Sequence, residues 1–247
     1  MRHGSLFSGQ GGFDLAAEWM GWENLFHCEK NEFCQRILKY YWPDAELFKD
    51  IQQSSFSKYR GRIDVLSGGF PCQPFSNAGE QKGSADERFL FKEMFRAIRE
   101  IKPPWVVAEN VRAITSPKFK EIFHEICTSL EFEGYEVSPI LIPVTAIGAD
   151  HERYRTWIVA HSECERQSGQ GAYSGQLQPK EIKNWEANRF VNYVQGNAMP
   201  YVCGHHDGIS RRMDEQALFA IGNAIHPGIA YEIFKTIEQY EKEFRKD

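Results

Sequence analysis

The stretch Ser5-Leu6-Phe7-Ser8-Gly9-Gln10-Gly11-Gly12-Phe13-Asp14-Leu15-Ala16-Ala17-Glu18-Trp19-Met20 decides how the rest of the chain reads. Ser5 to Phe7 is a short apolar run, the glycine-rich middle is a turn, and Phe13 to Met20 looks helical. Strand, glycine turn and helix make a unit in which the backbone can approach a ligand closely beside a helix N-terminus. Alone, the turn could equally be structural. It lacks the lysine of a phosphate-binding P-loop, and its glycine spacing is not that of a dinucleotide fingerprint.

Working outward, Asn24 to Cys28 reads as a second strand ending at Glu29, and a helix over Glu32 to Tyr41 stops near Pro43. An acidic residue at such a strand end can accept both hydroxyls of a ribose, or can simply be solvated. Ile63 to Leu66 is a further strand, running into Ser67-Gly68-Gly69-Phe70-Pro71-Cys72. Gln73 to Glu87 is polar with no clear period. Phe89 to Ile101 has helical periodicity and Pro103-Pro104 ends it. Trp105 to Ala108 is a strand ending at Glu109-Asn110, Lys118 to Glu131 is a helix, and Val137 to Ile142 and Thr156 to Ala160 are β-rich.

This alternation predicts an α/β fold with a mainly parallel sheet covered on both faces. Ligands in such sheets bind outside the carboxyl ends of the strands. The glycine turn, Glu29, Pro71-Cys72 and Glu109-Asn110 all fall there, and their convergence says more than any one of them. From His161 to about Arg212 the chain becomes rich in Gln, Ser, Gly and Asn, as an irregular subdomain or loop region would be. A helix from about Gly228 to Phe244 closes it.

Composition narrows the function classes. Of 247 residues, 42% are hydrophobic and 26% charged, enough apolar material for a large core. No run approaches the roughly 18 apolar residues of a spanning helix. Met1 to Ser5 shows no apolar leader, so a cytoplasmic setting is expected. The net charge of −5 excludes a uniformly cationic nucleic-acid binder but leaves room for a local basic cleft. Six cysteines without a dense framework read as reduced thiols.

Cys72 is the unusual one. A lone cysteine is commonly a small buried hydrophobe. This one follows Gly-Gly-Phe-Pro at a strand end and precedes a polar segment, a good place for an exposed nucleophile. Glu109 is a second strand-end carboxylate, and if sheltered it could hold a proton and donate a hydrogen bond.

Phe70-Pro71-Cys72-Gln73, Glu109-Asn110-Val111 and Phe7-Ser8-Gly9-Gln10-Gly11-Gly12 together resemble the cytosine-5 DNA methyltransferase family, in its compact phage or restriction-modification type. Arg88-Phe89-Leu90-Phe91-Lys92-Glu93-Met94, His151-Glu152-Arg153-Tyr154-Arg155 and Gly222-Asn223-Ala224-Ile225 resemble further motifs of that family in the same order. The resemblance implies a Rossmann-like methyltransferase fold. Residues 1–160 would form the catalytic and cofactor core, 161–210 a small target-recognition insert, and 211–247 a segment packing back on the core.

It implies methyl transfer from S-adenosylmethionine to carbon-5 of cytosine in duplex DNA. Cys72 would be the nucleophile on carbon-6. Glu109 would hold the base at N3 and the exocyclic amine, and Arg153 and Arg155 would contact O2 and position Glu109. The base must be flipped out of the duplex for this. For the cofactor the resemblance implies Phe7, Gly9, Gly11 and Gly12 around the methionine part, Glu29 on the ribose, and Asp50 and Ile51 on the adenine. Pro71, Leu90, Asn223 and Ile225 would complete the pocket. Gln73, Ser76, Lys82 and Arg88 are the expected nucleic-acid contacts. A monomer is expected, with a restriction enzyme or specificity partner as a possible associate.

The chain departs from the family's usual pattern at Ser5 (often Asp), Gln10 (often apolar), Lys30 (often bulky and apolar), Asp150 (often Pro) and His151-Glu152. The short span between Ala160 and Arg211 implies few base-edge contacts and a short or relaxed recognition site, with Gln167 to Gln178 and Asn184 to Gln195 as candidate contacts. His161, Cys164, Cys203 and His205 are of zinc-ligand type, but the resemblance asks for no metal, and polar loop residues are the competing reading. Lys92, Arg96, Arg99 and Lys102 are either part of a DNA-facing run or a solvated helix face. Rival functions are a tRNA cytosine-5 methyltransferase, a catalytically silent DNA-binding or regulatory relative, and a generic nucleotide-binding α/β protein.

Overall fold

The computed structural model describes residues 1–71, 90–148, 153–162 and 224–244. Its centre is a seven-stranded sheet in the order β3-β2-β1-β4-β5-β7-β6. In chain order these strands are β1 (Arg2–Leu6), β2 (Glu23–Cys28), β3 (Glu46–Phe48), β4 (Val65–Gly68), β5 (Trp105–Val111), β6 (Tyr135–Pro143) and β7 (Tyr154–Ser162). The first five are mutually parallel, while β7 runs antiparallel between β5 and β6. The helices are α1 (Gly12–Trp19), α2 (Glu32–Tyr41), α3 (Phe91–Ile101), α4 (Lys120–Phe132) and α5 (Pro227–Phe244). The expected α/β fold with a mainly parallel sheet is therefore the one adopted.

Strands this apolar must be covered on both faces, and alternation along β5 shows how. Val106 and Ala108 point into one core, with Leu6, Phe26, Leu66 and the α3 residues Met94 and Ile98. Trp105 and Val107 point into the other, with Phe13 and Ala16 of α1 and Ile229, Ile233 and Phe234 of α5. Phe234 stacks on Trp22 with ring centres 4.8 Å apart and on Phe13 at 6.1 Å, which fastens the end of the chain to its beginning.

Several boundaries differ from the sequence reading, each for a tertiary reason. β4 runs on through Ser67 and Gly68 because those residues pair with Ser5 and Leu6 of β1. β7 extends from Tyr154 to Ser162 because it is paired on both sides. The short β3 was not anticipated, since its three residues exist as a strand only through pairing with Phe26 to Cys28. Of the expected recognition insert, only His161 and Ser162 are described, as the end of β7. The rest of that region lies outside the described residues, as do Cys164, Cys203 and His205. His161 stacks on Trp105 with ring centres 4.1 Å apart. Among the described residues no group of three or more His, Cys, Asp and Glu could hold a metal ion. No helix among them is long and apolar enough to cross a membrane.

Register brings the strand ends level. Leu6 pairs with Cys28 on one side and Gly68 on the other, and Gly68 pairs with Ala108. The next residues, Phe7, Glu29 and Gly69, consequently leave the sheet along one edge, and Glu109 stands level with them where β5 runs on to Val111 paired with β7 alone. The antiparallel β7 begins where β5 ends, so Arg155 lies opposite Val111 and joins that same edge.

Candidate functional site

Glu109 and Asn110 are carried to this edge by β5 and buried there. Arg155 Nε donates to Glu109 Oε1 at 2.9 Å. Burial pushes the Glu109 carboxyl up to about 7, against the opposing pull of Arg155 and Arg153. The strand-end carboxylate is thus sheltered and can hold a proton near neutral pH. Arg153 takes a different path, with Nη2 donating to the Ala224 carbonyl at 2.9 Å. Burial, and then Arg155, lower its own pKa.

Ala224 precedes Ile225, and Ile225 covers two glycines. A Cβ on Gly12 would come within 2.7 Å of the Ile225 carbonyl oxygen. One on Gly69 would come within 2.9 Å of Ile225 Cδ1 and 3.4 Å of Glu109 Oε2. Gly12, Gly69, Ile225 and Glu109 therefore meet at one place, although they come from four separate parts of the chain.

Asn110 has a role that the sequence did not signal. Its Nδ2 donates to the Phe70 carbonyl at 3.0 Å, and its Oδ1 accepts from the Val111 amide at 2.8 Å. Phe70 is itself buried and packs on Phe91 at 5.4 Å between ring centres. The root of the Pro71-Cys72 segment is in this way tied to the strand that carries Glu109. Pro71 and Leu90 are half-buried at the limits of the described segments. Cys72, Gln73, Ser76, Lys82, Arg88 and Asn223 lie outside the described residues.

The glycine turn takes three left-handed positions, Phe7 (φ 52°), Gly9 (φ 55°) and Gly11 (φ 86°). A Cβ on Gly9 would meet nothing within 4 Å, so the turn presents its backbone to open space there. Gly11 is the opposite case, because Trp42 and Leu38 crowd it. The Trp42 ring is held by donation to Glu18 at 2.9 Å. Gly11→Ala combines a left-handed backbone with a steric clash and is expected to cost about 2–4 kcal/mol, measured by urea unfolding.

Glu29 closes the other side of the turn. Its Oε2 accepts from the Gly9 amide and its Oε1 from the Asn31 amide, both at 2.7 Å. Each oxygen keeps a second lone pair for a ligand hydroxyl. Asp50 Oδ1 caps the Gln52 amide at 3.0 Å, Ile51 is buried behind it, and Lys30 reaches Asp50 Oδ2 at 3.6 Å. Open backbone at Gly9, a carboxylate with spare acceptor capacity and a neighbouring apolar side chain suit a nucleoside carrying a polar tail, and S-adenosylmethionine is such a molecule.

The expected basic run divides. Arg96 is paired with Glu93 at 2.9 Å and Glu100 at 2.5 Å on α3, and Arg99 with Glu133 at 3.1 Å. Those two belong to a salt-bridged helix surface.

Comparison with known proteins agrees with this arrangement. A family model described as C-5 cytosine-specific DNA methylase matches residues 1–207. The type II methyltransferase M.PspPI of Psychrobacter sp. is 39% identical over 134 residues, which cover 53% of this chain and 32% of that one. M.AluI of Cellulosimicrobium cellulans is 35% identical over 175 residues, covering 65% and 33%. The matched segments thus span about a third of the length of these relatives. Among solved structures, the S. pombe Dnmt2 methyltransferase superposes with a TM-score of 0.54 at 18% identity, covering 74% of this chain and 58% of that one, a likeness of fold. A match over residues 1–207 of 247, on a chain whose strand ends gather the same motifs at one edge, places this protein in the C-5 cytosine-specific DNA methylase family.

Proposed function

We propose that this chain transfers a methyl group from S-adenosylmethionine to carbon-5 of a cytosine in duplex DNA. The observation that carries the reading is the pairing of buried Glu109 with half-buried Arg155 beside the anchored root of the Pro71-Cys72 segment, in a chain of this family. Cytosine carbon-5 is a weak nucleophile, so the ring must first be activated. The Cys72 thiolate attacks carbon-6 and leaves an enamine-like ring. Protonated Glu109 donates to N3, so charge developing on the ring is met by a group already in place. Arg155 holds Glu109 from behind and reaches toward O2. Arg153 keeps Ala224 and Ile225 closed over the glycines. S-adenosylmethionine, when bound, would supply the electrophilic methyl group for carbon-5, its sulfonium leaving as the neutral thioether S-adenosylhomocysteine. Removal of the carbon-5 proton then re-forms the double bond and expels Cys72.

Gly9 and Glu29 hold the cofactor's polar parts in this reading, with Asp50 and Ile51 at its adenine. Residues 161–210 form the target reader, and Lys82 and Arg88 face the phosphates. Type II methyltransferase relatives from bacteria favour a restriction-modification setting in a bacterial or phage-infected cytoplasm. In the same reading the chain acts on DNA as a monomer, beside a separate restriction enzyme or specificity partner.

The test is transfer of labelled methyl from S-adenosylmethionine to duplex DNA and to tRNA in parallel. Label in DNA, recovered as 5-methylcytosine, is the expected result. Label in tRNA alone would replace the substrate, and label in neither, with cofactor bound, would identify a silent relative.

A further inference from the structure

A fully buried polar cluster lies beneath the glycine turn, between β1, β2, β4 and α1, and the chemistry above makes no use of it. It contains His3, Ser5, Ser8, Asp14, His27 and Ser67, all buried, with the side chain of Asn24 at its border. Burying so many polar groups in an otherwise apolar layer is costly unless their bonds are made, so their pattern is informative.

The pattern has a direction. An ionised carboxylate only accepts, and Asp14 is held below its ordinary pKa by His27 although burial opposes this. Ser5 Oγ donates to Asp14 Oδ1 at 2.8 Å, and His27 Nδ1 lies 2.8 Å from the same oxygen. With the Ser5 hydrogen committed, Ser8 must be the donor in the 2.6 Å contact between Ser8 Oγ and Ser5 Oγ. The Cys28 amide donates to Ser8 Oγ at 3.2 Å, and the Ser8 amide donates to the Cys28 carbonyl at 3.1 Å. One chain of donors thus runs from the end of β2 through both serines to Asp14. Asn24 fixes the helix end of this chain by donating to the Asp14 carbonyl at 3.0 Å.

Ser5 and Ser8 stand on either side of Phe7, the strained non-glycine residue of the turn. A left-handed phenylalanine persists only where its surroundings over-determine it. The hydroxyl contact across Phe7 does that, and the Ser8–Cys28 bonds place Gly9 against Glu29, which follows Cys28.

We infer that Asp14, Ser5 and Ser8 are positioning residues for the cofactor, forming a buried hydrogen-bond relay that holds the Phe7–Gly9 turn in register with Glu29. The inference rests on the cofactor site proposed above and adds three residues to it that touch no ligand. Asp14 performs this task from the helix, and Ser5 couples it to the turn.

The experiment measures S-adenosylmethionine affinity calorimetrically for the wild type, Ser5→Ala, Ser8→Ala and the double variant, with melting temperature, kcat and cofactor KM alongside. Each single variant is expected to weaken cofactor binding about tenfold, the loss of one structural hydrogen bond. KM for the cofactor should rise by a similar factor, with kcat at saturation within about twofold of wild type. The double variant should be little worse than either single one, because a relay broken once is broken. Hydrogen exchange at the Gly9 amide of the cofactor-free chain should accelerate in both singles. Lower melting temperatures with unchanged affinity would overturn the relay and leave the serines merely structural. A wild type that binds no S-adenosylmethionine would overturn the site reading and this inference with it. Asp14→Asn, which keeps the shape and removes the charge, serves as the third variant should an alanine variant fail to fold.

Discussion

Duplex DNA carrying 5-fluorocytosine, incubated with this protein and S-adenosylmethionine, is expected to yield a protein–DNA adduct that survives denaturation, and Cys72→Ala to yield none. Fluorine at carbon-5 cannot leave as a proton does, so the ring stays bonded to the nucleophile after methylation. On ordinary DNA, Cys72→Ala should lower turnover by at least about 10⁴-fold, the scale on which loss of a covalent nucleophile falls. Folding should be little affected, and cofactor affinity should stay within a few-fold, which separates loss of chemistry from loss of structure. Asn110 anchors the carbonyl of Phe70, two residues before Cys72. An adduct persisting in Cys72→Ala would place the nucleophile elsewhere.

The second large effect is expected at Glu109. Its folded pKa is raised from 4.5 to about 7 by burial. In the proposed role of proton donor to the base it would work when protonated, so turnover should fall as pH rises through about 7. Glu109→Gln should remove that limb of the pH profile and lower kcat by about 10²–10³-fold, as loss of one preorganised donor does. Glu109→Ala should be worse, because it leaves Arg155 without its partner. The effect on stability has a definite sign. Below pH 4.5 the carboxyl is protonated whether folded or unfolded. Between 4.5 and 7 the folded protein holds a proton that the unfolded chain has lost, so this group's contribution to stability declines as pH rises through that window. Wild type should therefore lose more stability than Glu109→Gln between pH 5 and 8 in urea unfolding. A flat difference would show that Glu109 is ionised throughout.

Much of the fold was legible locally. The bounds of α2, Glu32 to Tyr41, follow from its amphipathic period and the proline beyond it, and the structure has the same bounds. The positions of Glu29 and Pro71 were readable because apolar runs stop where the chain leaves the sheet, while at Glu109 the apolar run stops although β5 continues to Val111 in pairing with β7. Asn110 appeared in the sequence only as a neighbour of Glu109, and its bond to Phe70, forty residues away, is long-range. Arg153 was expected on the base, and its described bond is to Ala224, seventy-one residues on. The one local signal of the buried relay was polar residues at apolar positions, His3 and Ser5 within β1 and Asp14 within the apolar face of α1.

The sequence by itself determined the α/β alternation, the edge on which the motifs gather and the family to which they belong. The first two depend on periodicity and order along the chain, which short-range sterics and burial impose, and the family on the resemblance carried by the motif residues themselves. Tertiary structure alone decided that β7 enters antiparallel and brings Arg155 to Glu109, that Ile225 lies over Gly12 and Gly69, and that Asp14 accepts from Ser5 and faces His27 beneath the turn. A hydrophobic pattern specifies which side of an element is buried. Which element it meets, and in which direction that partner runs, is set by packing and hydrogen bonding between segments far apart in the chain.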